Sequence, residues 1–132
     1  MQVKTFFEFR STKFPPYDGE EEEINPGLWG KRLAEYFVAK LPPHGLETDG
    51  YVVEDWGCYV PIRVGDARLA LCCGHQDGEP DEFLCFTDPD KPIVKKLFKS
   101  IDLTEPLTRL TEAVNAILSA DPDVRAVVWR EP

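Results

Sequence analysis

The sequence predicts an α+β fold, a two-layer sandwich in which two long helices cover one face of a largely antiparallel sheet of about five strands. Three observations carry this expectation. Apolar and polar residues alternate at period two in several short stretches, apolar residues recur at three-and-four spacing in two longer ones, and the stretches follow as strand, helix, three strands, helix, strand, or βαβββαβ. The 132 residues read as a single domain, a length that buries roughly two thirds of the surface an unfolded chain exposes.

The first strand is predicted over 3–10, with Val3, Thr5, Phe7 and Phe9 toward the core and Lys4, Phe6, Glu8 and Arg10 toward water. Phe6 is the anomaly, a large ring on a face that then needs a cover. From 11 to 24, Pro15-Pro16 and Asp18-Gly19 break regular structure, and Glu20, Glu21, Glu22 and Glu23 form an acidic run suited to solvent. Asn25-Pro26 predicts a helix start, because Asn accepts from an orphan amide and Pro has none to leave unpaired. The helix is expected to reach about Leu41, with Gly30, Leu33, Ala34, Phe37, Val38 and Leu41 on its buried stripe. Burial of Leu33, Phe37, Val38 and Leu41 contributes on the order of 6–12 kcal/mol before entropy is counted. Pro42, Pro43 and Gly45 end it.

The central string, 54–75, reads EDWGCYVPIRVGDARLALCCGH. Cys58, Val60, Ile62 and Val64 alternate with Tyr59, Pro61 and Arg63, and Leu69, Leu71 and Cys73 with Arg68, Ala70 and Cys72, so Gly65-Asp66 joins a hairpin with one core face. Residues 51–53 lead into it, and 82–87 (EFLCFT) add a strand after an acidic turn at 77–81. Over 92–99, Ile93, Val94, Leu97 and Phe98 fit an extra short helix better than a strand. A second long helix, capped by Asp102 or Thr104, carries Leu107, Leu110, Val114, Ile117 and Leu118 and stops at Asp121-Pro122; 124–130 is the last strand. Chain direction then puts the end of the first strand, the acidic run, the Gly65-Asp66 turn and the start of the second helix together. His44, His75 and 121–123 fall at the other end.

The 24 acidic residues outnumber the 15 basic ones for a net charge of −9. Such a balance disfavours nucleic-acid phosphates and anionic lipid, and makes a protein with a basic surface the easier partner. No apolar run approaches the roughly 18 residues of a membrane span, and the charges within MQVKTFFEFRS are at odds with a secretory signal. A cytoplasmic location is expected. Cys58, Cys72, Cys73 and Cys85 all lie in predicted strands, where reduced, buried thiols are expected rather than disulfides. Phosphate-loop, dinucleotide, zinc-protease, serine-hydrolase and calcium-hand motifs do not occur.

Glu54-Asp55-Trp56-Gly57 is the most distinctive local string, open to two readings. The carboxylates are an acid/base pair or cation site beside a stacking indole, or they sit on a turn whose indole covers the sheet while Gly57 permits a bulge. The strings EEEEINPGLWGKRLAEY and EDWG, with LCCG and VVWR later, resemble a group of small uncharacterised bacterial proteins. In that group the second string reads EDWGW, so Cys58 stands where a second tryptophan would. The resemblance brings no activity with it.

Cys72, Cys73 and His75 offer zinc's preferred ligand types, but adjacent strand residues point to opposite faces, so no metal site and no other cofactor is expected. His44 after two prolines is expected in solvent. Phe6, Trp29 and Trp56 fall outside the core stripes; on one surface they make an aromatic binding patch, apart they cover edges. The leading expectation is a non-enzymatic protein that binds another macromolecule, of immunity or accessory type. Its contact residues are Glu54, Asp55, Trp56, Trp29, His75, Glu20, Glu21, Glu22 and Glu23, with no catalytic residue. The alternative is a small-ligand or enzyme pocket at Glu54, Asp55 and Trp56. The wet sheet face, with Phe6 and Val127 or Trp129, is also available to a second copy in a homodimer.

Overall fold

A computed structural model describes residues 3–75 and 78–131. Met1 and Gln2 of the N-terminal string and Asp77 of the acidic turn lie outside them. The elements are β1 (Phe6–Arg10), α1 (Glu20–Glu23), α2 (Lys31–Lys40), a 3-10 turn (Pro42–His44), β2 (Glu47–Thr48), β3 (Val52–Glu54) and β4 (Gly57–Val64). After these come β5 (Ala67–His75), β6 (Glu82–Asp88), β7 (Ile93–Lys96), β8 (Lys99–Asp102), α3 (Thr104–Ala120) and β9 (Arg125–Arg130). The fold is α+β with an antiparallel main sheet in the order β2, β4, β5, β6, β1, β9. β3 continues β2 along the same edge of β4.

One sheet face supplies the core. Phe7 and Phe9, Phe83 and Cys85, Leu69, Leu71 and Cys73, and Cys58, Val60, Ile62 and Val64 are all buried, as strict alternation along four neighbouring strands requires. Leu33, Ala34 and Phe37 of α2 and Leu107, Leu110, Val114, Ile117 and Leu118 of α3 join them in a single apolar cluster. Residues of the opposite sheet face stay outside that cluster, Cys72 included.

Several expectations need correction. Helix α2 begins at Lys31 rather than Asn25, because Gly27 has φ 79° and Leu28 N–H closes a turn onto the Asn25 carbonyl at 3.0 Å. Only α3, at 17 residues, is long; α2 has 10. The stretch expected as a helix over 92–99 is the β7–β8 hairpin, in which Val94 pairs with Ile101 and Lys96 with Lys99. Four apolar residues in so short a window do not separate the two periods, and the pairing partners lie further along the chain. Strand β1 runs antiparallel to β6 and ends against Glu82, beside the His75 end of β5, rather than at the Gly65-Asp66 end. In β9 the outward residue is Val128, 57% exposed, while Val127 and Trp129 pack on the core, since a bulge at Ala126 (φ 57°) resets the alternation.

Candidate docking face

The acidic run folds into the molecule. Glu20 is buried, and its Oε2 accepts from the N–H groups of Gly30 (2.7 Å) and Lys31 (2.9 Å), the first turn of α2. Its Oε1 accepts from Tyr17 N–H at 2.9 Å. A carboxylate from the preceding segment thus does the capping expected of Asn25, and the partial positive charge of the helix end favours it there. Glu21 accepts from Gly27 N–H at 2.9 Å, and Glu23 pairs with Lys31 at 2.6 Å. Glu22 faces solvent. The solvated-run expectation therefore fails at Glu20.

Trp29 and His75 are buried together. Their rings stack at 3.7 Å and 7°, and Trp29 Nε1 donates to the Phe14 carbonyl at 2.9 Å. Both His75 nitrogens lie within hydrogen-bond distance of carbonyl oxygens, of Gly27 at 2.7 Å and Glu79 at 2.8 Å, which ties the ring into the fold. The pair ties the loop before α2 to the end of β5.

Glu54, Asp55 and Trp56 occupy a hairpin turn. Glu54 pairs with Gly57, which leaves Asp55 and Trp56 as a two-residue loop, and both carboxylates are exposed. Gly57 has φ 152°, and a Cβ there would lie 2.5 Å from the Cys73 carbonyl, so this close passage of β4 over β5 requires glycine. Trp56, 37% exposed, is carried over the open face of the sheet, its ring 6.1 Å from that of Phe86.

Register joins the rest of that face. Val52 pairs with Tyr59, Tyr59 with Cys72, Cys72 with Phe86, Phe86 with Phe6, and Phe6 with Arg130. One row crosses six strands. Phe6 stacks on Phe86 at 5.3 Å, and Leu84 and Val128 flank the row. Phe6 and Trp56 therefore share a surface, and Trp29 is not on it. The outward strand positions also carry Glu8, Glu47, Glu54, Glu82 and Asp88 against Arg10, Arg63, Arg68, Arg125 and Arg130, so this face is close to neutral while the whole chain is at −9.

The cysteines are free and buried. Cys58, Cys73 and Cys85 stand side by side across β4, β5 and β6, an alignment visible only once register is known. Burial pushes the Cys58 and Cys72 thiols up to about 12, and burial beside Cys85 raises Cys73 well above its ordinary value, so all three stay protonated at neutral pH. Among the described residues no cluster of His, Cys, Asp or Glu is arranged to hold a metal ion.

A second polar grouping brings Lys13, Tyr36 and Lys40 beside His44 and 121–123. A cleft of about 430 Å³ is lined by Lys13, Tyr36, Lys40, His44, Asp121 and Asp123, among others. Its carboxylate is already spoken for: Asp121 Oδ2 accepts from Lys13 Nζ at 2.6 Å and Tyr36 hydroxyl at 2.7 Å, and Oδ1 from Asp123 N–H at 2.9 Å. Burial works against ionisation of Asp121, yet these hydrogen bonds outweigh it and hold the carboxyl at about 2. The grouping fastens the segment after β1 to α2 and the end of α3.

Among the described residues no helix is long and apolar enough to cross a membrane. No protein-family model matches this chain, and no curated protein or solved structure matches it either.

Proposed function

We propose that this is a non-enzymatic protein-binding domain whose contact surface is the open face of the sheet. The observation that carries the reading is the row of Tyr59, Phe86 and Phe6 with Trp56 laid beside it. Aromatic rings supply large contact area at small conformational cost, and a contiguous apolar patch on a soluble domain marks an interaction site. The acidic run contributes little, since Glu20, Glu21 and Glu23 have partners within the chain. The partner suited to this face has an apolar centre that meets the aromatic row, with charge confined to its rim. The hydrogen bonds of His75 and Asp121 serve the fold and argue against a catalytic constellation.

Crosslinking of the purified wild-type domain to itself and to proteins of a cell extract tests this. Crosslinks are expected to radiate from Trp56, Tyr59 and Val128 and to be lost in Trp56→Asp and Val128→Asp, both exposed positions whose melting temperatures stay near wild type. Crosslinks that come only from the outer faces of α2 and α3 and persist in both variants would overturn it.

A further inference from the structure

The β7–β8 hairpin stands apart from the main sheet as a separate two-stranded unit, a form that is marginal in water without further cover. Its turn exposes Leu97 and Phe98 almost completely, at 99% and 104% of their reference areas. Leu97 also sits at φ 54°, where glycine is the easy choice and a leucine is strained. Among the described residues nothing covers either side chain.

Charge adds a second, independent mark. Residues 91–102 carry Lys91, Lys95, Lys96 and Lys99 against Asp102, a net +3 in a chain of −9, which leaves −12 for the rest. None of the four lysines is in an ion pair among the described residues. The arm is thus a cationic hairpin with a greasy tip on an acidic body.

The open face offers the complementary character: an apolar centre at Tyr59, Phe86 and Trp56, with the exposed carboxylates of Glu54 and Asp55 at its margin. We infer that the occupant of this face is the β7–β8 arm of a second copy of the chain, the two copies exchanging arms about a twofold axis. The inference rests on the open face being the contact surface and names what fills it. Leu97 and Phe98 seat against the aromatic row, and Lys96 and Lys99, the cross-strand pair next to the tip, lie along Glu54 and Asp55. Each contact is made twice, because a twofold exchange repeats it.

Sedimentation velocity across roughly 1–200 µM protein at low salt tests the exchange. The wild type is expected to pass from monomer to dimer, and Leu97→Asp with Phe98→Asp to stay monomeric with an unchanged fold, the tip being outside the core. Lys96→Glu with Lys99→Glu is expected to weaken the dimer tenfold or more. Mixing that variant with Glu54→Lys with Asp55→Lys should restore association between the two. A photoreactive side chain placed at 98 should crosslink to a second copy at peptides holding Trp56, Tyr59 or Phe86. A wild type that stays monomeric overturns the inference, as does an arm that binds only phosphatidylserine vesicles. A dimer lost on Trp56→Asp but indifferent to the arm variants removes the arm as occupant and leaves the open face as contact surface. A dimer indifferent to both sets removes both readings.

Discussion

Replacing Glu20 by alanine isolates the buried carboxylate on which the start of α2 depends. The substitution leaves the N–H groups of Gly30, Lys31 and Tyr17 without their acceptor, bonds now at 2.7, 2.9 and 2.9 Å. An amide orphaned in a buried site costs about 1–3 kcal/mol, and a lost cap at a helix N-terminus about 1, but the contributions share one carboxylate and do not add. A destabilisation of about 3 kcal/mol is therefore expected for Glu20→Ala. Glu20→Gln should cost about 2 kcal/mol, since one amide oxygen remains to accept while the charge and one acceptor are gone. Glu22→Ala, two residues on and exposed, should stay within about 0.5 kcal/mol of wild type. Urea denaturation followed by tryptophan fluorescence and far-ultraviolet circular dichroism measures all three, with equal slopes required for the comparison. A Glu20→Ala loss below about 1 kcal/mol would refute the capping argument.

Asp121, held at about 2 in the fold, has a lower pKa than an unfolded aspartate near 3.9, so its contribution is whole above about pH 4 and vanishes as pH falls through 2. Urea midpoints at pH 7, 4 and 2.5 should show Asp121→Asn flattening this slope, with at most about 3 kcal/mol at stake. Iodoacetamide at pH 8 should leave Cys58, Cys72 and Cys73 unmodified for hours in the native protein and alkylate them within minutes in urea, read by mass spectrometry; rapid native labelling of Cys73 would contradict its burial. Gly57→Ala places a methyl 2.5 Å from the Cys73 carbonyl and should cost about 2 kcal/mol or more, with a red shift of tryptophan emission as the Asp55-Trp56 turn lifts from the sheet. Gly65→Ala, with open space around its Cβ, carries only the strain of φ 59° and should cost less than half as much.

Alternation made the buried strands readable. Cys58 to Val64 and Leu69 to Cys73 need no tertiary information, since each second residue is apolar and the Gly65-Asp66 turn is short. The same logic found α3, whose stripe repeats over 17 residues. It failed where a local signal was outbid by a distant group. Asn25-Pro26 carries every local mark of a helix start, but Glu20, five residues earlier, reaches the amides of Gly30 and Lys31 and moves the start to Lys31. It failed again over 92–99, where Leu97 and Phe98 resemble half a helical stripe and are in fact the two turn residues between β7 and β8. The edge pieces β2 and β3 are short and owe their existence to β4, so nothing within 47–54 announces them.

The three tryptophans show why a candidate site resists reading from composition. Trp29 ends in a buried stack on His75, Trp129 lies 4.5 Å from Phe7 with its Nε1 donating to Asn115 Oδ1 at 3.0 Å, and Trp56 lies over Phe86 in the open. What separates them is which side of the sheet each backbone presents. For Trp129 the side is chosen by the bulge at Ala126, and for Trp56 by the two-residue turn that Gly57 makes possible. Phe6, Phe86 and Tyr59 reach one row only because β1 enters the sheet between β6 and β9, so that residues from the beginning, middle and later parts of the chain fall into line. The exposed surface is thus a product of strand order, and strand order is fixed by the core on the opposite side. A substitution that shifted β1 by one residue would turn Phe7 and Phe9 to water and Phe6 inward, so the buried phenylalanines hold the aromatic row in register.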